Sequence, residues 1–173
     1  MQNFIIKITQ KNSPLPINER IGCYIITSDL SDKLIAQIVD KAHEQTKLVL
    51  SAGDSAPELY QNFRTDGFIL DCSRSEHPQT EVKTARQKYP HAIIGVISRN
   101  RRHESMLISE CEPDFIIFQL WREGLEKNIE LLQWYTDLFL IQCAAYPKEE
   151  MDLNDIPADF LILPDTDQSV TKI

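Results

Sequence analysis

The sequence has little glycine and no paired cysteines. Only five of its 173 residues are glycine, and the segment after the first strongly apolar stretch reads ITSDL (26–30). This excludes a GxGxxG loop, which wraps a phosphate in backbone amides at the start of many α/β proteins. The four cysteines stand singly, without the CxxC spacing of a metal site or a redox motif. We expect them to be buried, reduced thiols.

Long apolar runs and an excess of positive charge are also missing. The first residues, MQNFIIKITQK (1–11), hold a three-residue apolar core, whereas a signal peptide needs roughly 7–15 apolar residues. The 18 Lys and Arg against 26 Asp and Glu give a formal net charge of −8, which repels phosphate backbones and anionic lipid. We therefore predict a cytoplasmic protein that binds neither nucleic acid nor membranes.

Length and hydrophobic content favour one domain. At 173 residues and 42% hydrophobic, the chain is long enough for one well-packed core and too short for two. We predict a single domain over residues 1–173.

The chain repeats one short phrase, in which an acidic residue precedes about four apolar residues and a polar residue follows. The copies are PDFIIFQ (113–119), TDGFILD (65–71), TDLFLIQ (136–142) and ADFLILPD (158–165). This pattern is typical of a short strand that is buried on both faces. Seven strands of this kind are predicted, at intervals of about 20 to 25 residues: GCYIIT (22–27), KLVLS (47–51), GFILD (67–71), AIIGVI (92–97), FIIFQ (115–119), LFLIQ (138–142) and FLILP (160–164).

Segments with helical spacing lie between these strands, for example after Ser31, which we expect to cap a helix. Alternating strands and helices predict an α/β fold with a parallel sheet. An open doubly wound sheet and a closed (β/α) barrel of the TIM type both fit. The regular spacing and the lack of a glycine-rich loop favour the barrel. We predict an incomplete or distorted barrel of about seven βα units, or one in which NFIIKI (3–8) adds a strand.

Four segments resemble the strands of the thiamine-phosphate synthase and TenI superfamily. They are CYIITSD (23–29), TDGFILD (65–71), AIIGVIS (92–98) and PDFIIFQ (113–119). RRHESMLISECEPDFIIF (101–118) and ELLQWYTDLFLIQCAAY (130–146) are similar to segments of a divergent branch of the same superfamily. The resemblance runs over about residues 21–165 and implies the TIM-type barrel.

The resemblance implies an enzyme of thiamine biosynthesis, which couples hydroxymethylpyrimidine diphosphate with a thiazole phosphate with the help of magnesium. By position, Asp54 and Asp71 are the candidate magnesium ligands, although solvated loop acids are the commoner explanation of such residues. The chain departs from the family where a histidine is replaced by Ile69 and where glycine-rich turns are replaced by QCAAYP (142–147) and LPDTDQ (163–168). We therefore expect a pseudoenzyme, with lost or weakened catalysis.

Polar residues at the predicted carboxyl ends of strands are the candidates for binding a small phosphorylated ligand. Ser98, Arg99 and Arg101 follow AIIGVI directly, and a guanidinium suits phosphate or carboxylate. The alternative is a solvated helix start, in which these arginines pair with Glu104 or Glu110. The other candidates are Thr27, Ser51, Gln119 and Gln142.

Two functions therefore stay open. One is a divergent thiamine-phosphate-synthase-like enzyme or ligand-binding barrel; the other is a non-catalytic, dimeric interaction or regulatory module on the same fold. A barrel that lacks one βα unit would expose strand edges, which invite pairing. We predict a homodimer, formed through FIIKI (4–8) and the helix around Leu131, Trp134 and Tyr135.

Overall fold

The computed structural model describes residues 3–11, 14–121, 125–149 and 151–170. Within them, eight parallel strands form a closed barrel in chain order, so the predicted TIM-type barrel is confirmed. NFIIKI supplies the additional strand, which brings the number to eight instead of seven. The strands are β1 (Asn3–Lys7), β2 (Ile21–Thr27), β3 (Leu48–Ala52), β4 (Gly67–Asp71), β5 (Ile93–Ile97), β6 (Phe115–Gln119), β7 (Gln142–Tyr146) and β8 (Phe160–Pro164).

Helices follow the strands from β2 to β6. They are α1 (Asp32–Glu44), α2 (Ala56–Phe63), α3 (Pro78–Lys88), α4 (Arg102–Ser109) and α5 (Leu125–Leu138). The described residues between β1 and β2 contain no helix, and those between β7 and β8 contain one short 3-10 turn, Leu153–Asp155. None of the described helices is long and apolar enough to cross a membrane.

The chain divides into two compact units. Unit 1 comprises Met1–Ile69 with Ile162–Ile173, and unit 2 comprises Leu70–Leu161. The expectation of a single domain stays a prediction. All four cysteines are buried and unpaired, as the sequence predicted.

In unit 1, β2 is the central strand and pairs with β1 and β3 in parallel. Ile6, Tyr24 and Val49 are register partners across these strands, and all three are fully buried. The Ser31 hydroxyl accepts a hydrogen bond from the backbone N–H of Leu34, so the predicted cap of α1 is confirmed. This cap satisfies one of the N–H groups that the first helical turn leaves without a partner.

In unit 2, β6 lies between β5 and β7 and every residue of its FIIFQ sequence is buried. The Phe118 ring meets the Tyr135 ring of α5 edge-on, with centroids 5.2 Å apart. The Tyr135 hydroxyl lies 2.9 Å from the Ser109 hydroxyl, which satisfies both buried groups. These contacts hold α4 and α5 to each other and α5 to the strand.

The acidic residue of the repeated phrase has a structural role in three of the four copies. Asp66 accepts a hydrogen bond from the Val49 N–H at 2.7 Å, and Asp114 does the same for Ile94 at 2.7 Å. Asp159 accepts from Cys143, also at 2.7 Å. Each carboxylate directly precedes one strand (β4, β6 or β8) and accepts a hydrogen bond from the start of the preceding strand (β3, β5 or β7). We call these three residues the aspartate caps.

The fourth copy of the phrase is not a strand, and its prediction as LFLIQ (138–142) was wrong. Asp137 and Leu138 end α5, and the strand begins only at Gln142. The physical reason is that these leucines are not buried, because Leu138 is 64% exposed and Leu140 is fully exposed. The buried strand core consists instead of the small residues that follow, from Cys143 to Ala145.

The open strand edge that was expected to favour a dimer is absent from the described barrel. β1 is paired with β2 inside a closed barrel, so FIIKI offers no open strand edge. Leu131 and Tyr135 are buried within unit 2. The homodimer itself stays a prediction.

Candidate functional site

Polar residues gather in unit 2 where β4, β5, β6 and β7 end. TIM barrels place their active sites at this carboxyl end of the strands. Asp71, Gln119 and Tyr146 are the last residues of β4, β6 and β7, and Asn100 follows β5. We define the β4–β7 site as Asp71, Ser73, Arg99, Asn100, Gln119, Trp121 and Tyr146.

A buried amide network fixes the end of β6. The Asn100 side-chain amide donates to the Gln119 carbonyl at 2.7 Å and to Asn128 Oδ1 at 2.8 Å. Asn128, on α5, donates in turn to the Leu120 carbonyl at 2.8 Å. Asn100 and Asn128 are both buried. Because their polar atoms are paired with backbone, this network orients the segment that carries Gln119 and Trp121.

Two side-chain oxygens of the site are buried without a partner. Among the described residues, Gln119 Oε1 and Ser73 Oγ have no hydrogen bond, a property they share with Gln45 Oε1 elsewhere in the chain. Gln119 is 7% exposed and Ser73 is 4% exposed. The large majority of buried side-chain polar atoms in proteins have a partner, so these two oxygens are unusual.

An aromatic pair lies at the ends of β6 and β7. Trp121 is 48% exposed, and its ring meets the Tyr146 ring edge-on with centroids 5.5 Å apart. Burial, reinforced by the negative charge of Asp71, raises the pKa of the Tyr146 hydroxyl above its ordinary value. The hydroxyl is therefore protonated at neutral pH and is able to donate a hydrogen bond.

Arg99 braces the loop after β4. Its guanidinium donates to the carbonyls of Ser73 and Ser75, each at 3.0 Å. Glu104 accepts a hydrogen bond from the Arg99 backbone N–H at 2.8 Å, and its other oxygen is 3.9 Å from the guanidinium. The alternative pairing of these arginines with Glu104 is thus observed for Arg99. The Arg101 side chain is exposed at the start of α4.

Two further predicted residues of unit 2 lie away from this arrangement. Ser98 is fully buried, and its hydroxyl donates to the neighbouring Arg99 carbonyl at 2.9 Å. Gln142 is exposed and begins β7. Its expected place at the carboxyl end of a strand was wrong, because the strand starts where the sequence had predicted its end.

The predicted residues of unit 1 have local partners. The Thr27 hydroxyl, at the end of β2, is 3.3 Å from Asp29 Oδ2. Ser51 is buried and donates to the Ala56 carbonyl at 2.6 Å, which joins β3 to the start of α2. Asp54 is exposed and follows Gly53, whose φ of +91° is a conformation that favours glycine.

The predicted magnesium ligands belong to no larger cluster of metal-ligating side chains. Among the described residues, no group of three His, Cys, Asp or Glu side chains could hold a metal ion. One oxygen of Asp71 accepts the Ser73 N–H at 3.0 Å. Because magnesium is usually held by one or two carboxylates together with water and phosphate oxygens, Asp54 and Asp71 stay predicted ligands.

In unit 1, an internal carboxylate binds the backbone amides that follow β1. Asp165, just after β8, accepts the N–H groups of Thr9 at 3.0 Å and Gln10 at 3.1 Å, and also the Thr9 hydroxyl. Backbone amides of this kind bind phosphate in many α/β proteins. Here the Asp165 carboxylate occupies these amides in place of a phosphate.

No family model and no curated protein matches the chain. Among solved structures, the YdjI aldolase from Escherichia coli K12 is similar, with a TM-score of 0.69 and 8% identity over 94% of this chain and 74% of that chain. The homocysteine methyltransferase MmuM from Escherichia coli, in its apo form, has a TM-score of 0.62 and 12% identity, over 95% and 90% of the two chains. At these identities the likeness shows the TIM-barrel fold alone.

Sequence reasoning missed three residues of the site, namely Ser73, Asn100 and Tyr146, and also Asn128, which supports the site through Asn100 and Leu120. Asn128 was detectable, because it shares one helix face with Leu132 and Tyr135, where an amide without a partner would be costly. Tyr146 was hidden because its strand had been placed four residues too early.

Proposed function

We propose that this chain is a cytoplasmic, thiamine-phosphate-synthase-like barrel that binds a small ligand at the β4–β7 site and has lost the family's coupling reaction. The observation that carries the proposal is the pair of buried oxygens, Gln119 Oε1 and Ser73 Oγ, without partners among the described residues. An unsatisfied buried acceptor costs about 1–3 kcal/mol. A ligand that hydrogen-bonds to both oxygens removes this cost, which favours binding.

The neighbouring groups favour a planar, polar molecule. The exposed Trp121 ring offers a face for stacking, while Asp71 accepts hydrogen bonds and the protonated Tyr146 hydroxyl donates them. Rotation of the Gln119 side-chain amide by a half turn exchanges its oxygen and its NH₂ group. Gln119 is therefore able to bind either a donor or an acceptor of the ligand. If the ligand is phosphorylated, as the resemblance implies, its phosphate would meet the exposed Arg101, because Arg99 already binds two carbonyls.

Two observations support the loss of catalysis. The Arg99 guanidinium is engaged by the loop after β4. The amides after β1 bind Asp165, so a ligand phosphate would have to displace a carboxylate. A diphosphate leaving group needs the positive charge and donors that these arrangements remove.

Thermal unfolding with added ligands tests binding. Pyrimidine and thiazole compounds, with and without phosphate, are titrated against the purified protein, because a ligand of the folded state raises the midpoint with the logarithm of its concentration. We expect Gln119→Met to remove the shift and Gln142→Met, at the opposite end of the barrel strands, to keep it. No shift with any compound, or equal shifts in both variants, would contradict the proposal.

The coupling reaction has its own test. We expect no thiamine phosphate when the protein is incubated with hydroxymethylpyrimidine diphosphate, thiazole phosphate and magnesium. Turnover that disappears in Asp71→Asn would show instead that catalysis is retained.

One observation favours the second candidate, a dimeric interaction or regulatory module. Leu138, at the end of α5, and Leu140, in the segment before β7, are both largely exposed, and exposed apolar patches mark protein contacts. Sedimentation of the wild type and of Leu140→Glu at micromolar concentration tests this candidate. A 20.0 kDa monomer in both samples would exclude it.

A further inference from the structure

Unit 1 holds a cavity that is separate from every residue of the β4–β7 site. It has a volume of about 290 Å³ and lies between one face of α1 and the connection from β1 to β2. Leu15, Leu34 and Ile38 supply its apolar walls, and Lys11, Lys41 and Asp165 supply its charged groups. We call it the β1–α1 cavity.

The cavity has a simple origin in the fold. Leu34, Ile38 and Lys41 recur at helical spacing, so they lie on one face of α1. A TIM barrel normally has a helix after each strand, but the described residues between β1 and β2 contain none. The described residues of this connection instead line one side of the cavity without forming a helix, which leaves space where a helix would pack.

The charges of the cavity favour an anion. Lys11 and Lys41 are exposed, and no carboxylate of the described residues lies within ion-pair distance of either. Asp165 lines the same cavity, so its one negative charge offsets one of the two lysine charges and leaves a net charge of about +1. A singly charged carboxylate matches this balance better than a doubly charged group such as a phosphate monoester.

The size of the cavity favours a small molecule as its occupant. Its volume of about 290 Å³ is close to the lower limit of about 300 Å³ for pockets that hold drug-sized molecules. We propose that the β1–α1 cavity binds a small amphipathic carboxylate, with its apolar chain against Leu15, Leu34 and Ile38 and its carboxylate between Lys11 and Lys41.

Calorimetric titration with three probes tests the ligand class. Octanoate carries both features, octanol lacks the charge, and acetate lacks the apolar chain. We expect saturable binding of octanoate, and binding at least about tenfold weaker for the other two, because apolar burial contributes about 0.8 kcal/mol per CH₂ and the charge adds to it. Absence of saturable octanoate binding, or equal binding of octanol, would overturn the inference.

Matched charge reversals on α1 locate the site. Lys41→Glu changes a lining residue, whereas Lys33→Glu changes an exposed lysine of the same helix that does not line the cavity. We expect Lys41→Glu to weaken octanoate binding by about fivefold or more, and Lys33→Glu to change it by less than about twofold. Equal weakening in both would indicate a general field effect and reject the site.

A third variant separates this cavity from the β4–β7 site. Gln119→Met alters only unit 2 and should leave octanoate binding unchanged. If Gln119→Met abolishes it, octanoate binds at the β4–β7 site and the inference is wrong. Circular dichroism of each variant confirms that it is folded before titration.

Discussion

The Phe115 ring of β6 covers the position that a Cβ atom on Gly95 of β5 would take. The two residues are register partners in the parallel pair, and the added carbon would lie inside van der Waals contact with the ring. Gly95→Ala should therefore destabilise the protein by about 1–3 kcal/mol, as overpacking does. Urea unfolding measures the loss. In the Phe115→Leu background the same change should cost less, and equal stability of Gly95→Ala and wild type would contradict the packing.

Removing an aspartate cap should be costly. Asp114 Oδ2 accepts from the Ile94 N–H at 2.7 Å and from the Arg86 guanidinium at 2.6 Å. Asp114→Ala leaves the strand amide without this acceptor, so we expect a loss of about 1–3 kcal/mol in the free energy of unfolding. Asp137→Ala is the matched control, because within the described part of the chain that carboxylate accepts only from the exposed Gln133 side chain in α5. It should change stability by less than about 0.5 kcal/mol, and similar losses in both variants would reject the capping role.

Gln119→Met should leave the ligand-free protein as stable as wild type or stabilise it. The substitution replaces a buried oxygen without a partner by a side chain of similar size that needs none. Asn100→Leu should have the opposite effect, because it leaves the Gln119 N–H and Asn128 Oδ1 without their partner. Thermal unfolding compares the two. A large loss of stability in Gln119→Met would mean that the side chain has a structural role.

Stability should fall in alkaline solution. Burial raises the pKa of the Cys72 and Cys143 thiols from 9.0 to about 12, and that of the Tyr135 hydroxyl from 10.0 to about 12. Between pH 9 and pH 12 the unfolded chain releases these protons and the folded chain keeps them, so rising pH favours unfolding. Each thiol contributes a slope of up to about 1.4 kcal/mol per pH unit in this window. Urea titrations from pH 7 to pH 11 measure the decline, and Cys143→Ala should reduce its slope.

The barrel was predictable from the sequence because its strands are buried on both faces. GFILD and FIIFQ are continuous apolar runs, and no solvent-exposed alternation obscures them. The prediction of β7 was wrong because LFLIQ (138–142) is as apolar as the buried strands, although its leucines are exposed. The actual strand, QCAAY, contains two alanines and has weak strand propensity.

The site was less predictable, since its properties depend on partners distant in sequence. Arg99 looked like an anion-binding residue, but whether its guanidinium meets a ligand or a carbonyl depends on Ser73 and Ser75, more than twenty residues earlier. Nothing in the sequence indicates that the Gln119 Oε1 atom is buried without a hydrogen-bond partner. A buried polar atom becomes notable only when every possible partner has been placed.

The aspartate caps have a consequence for how strand register is established. The capped amides lie 17, 20 and 16 residues before Asp66, Asp114 and Asp159, respectively. The entropic cost of closing such segments varies little over this range, so the three closures are similar in cost. A slip of one residue would separate each carboxylate from its amide and turn the apolar side chains to the other face. The correct register of two successive strands is thus stabilised by groups within those two strands. A fragment that contains one such pair therefore contains both the carboxylate and the backbone amide that favour its native register.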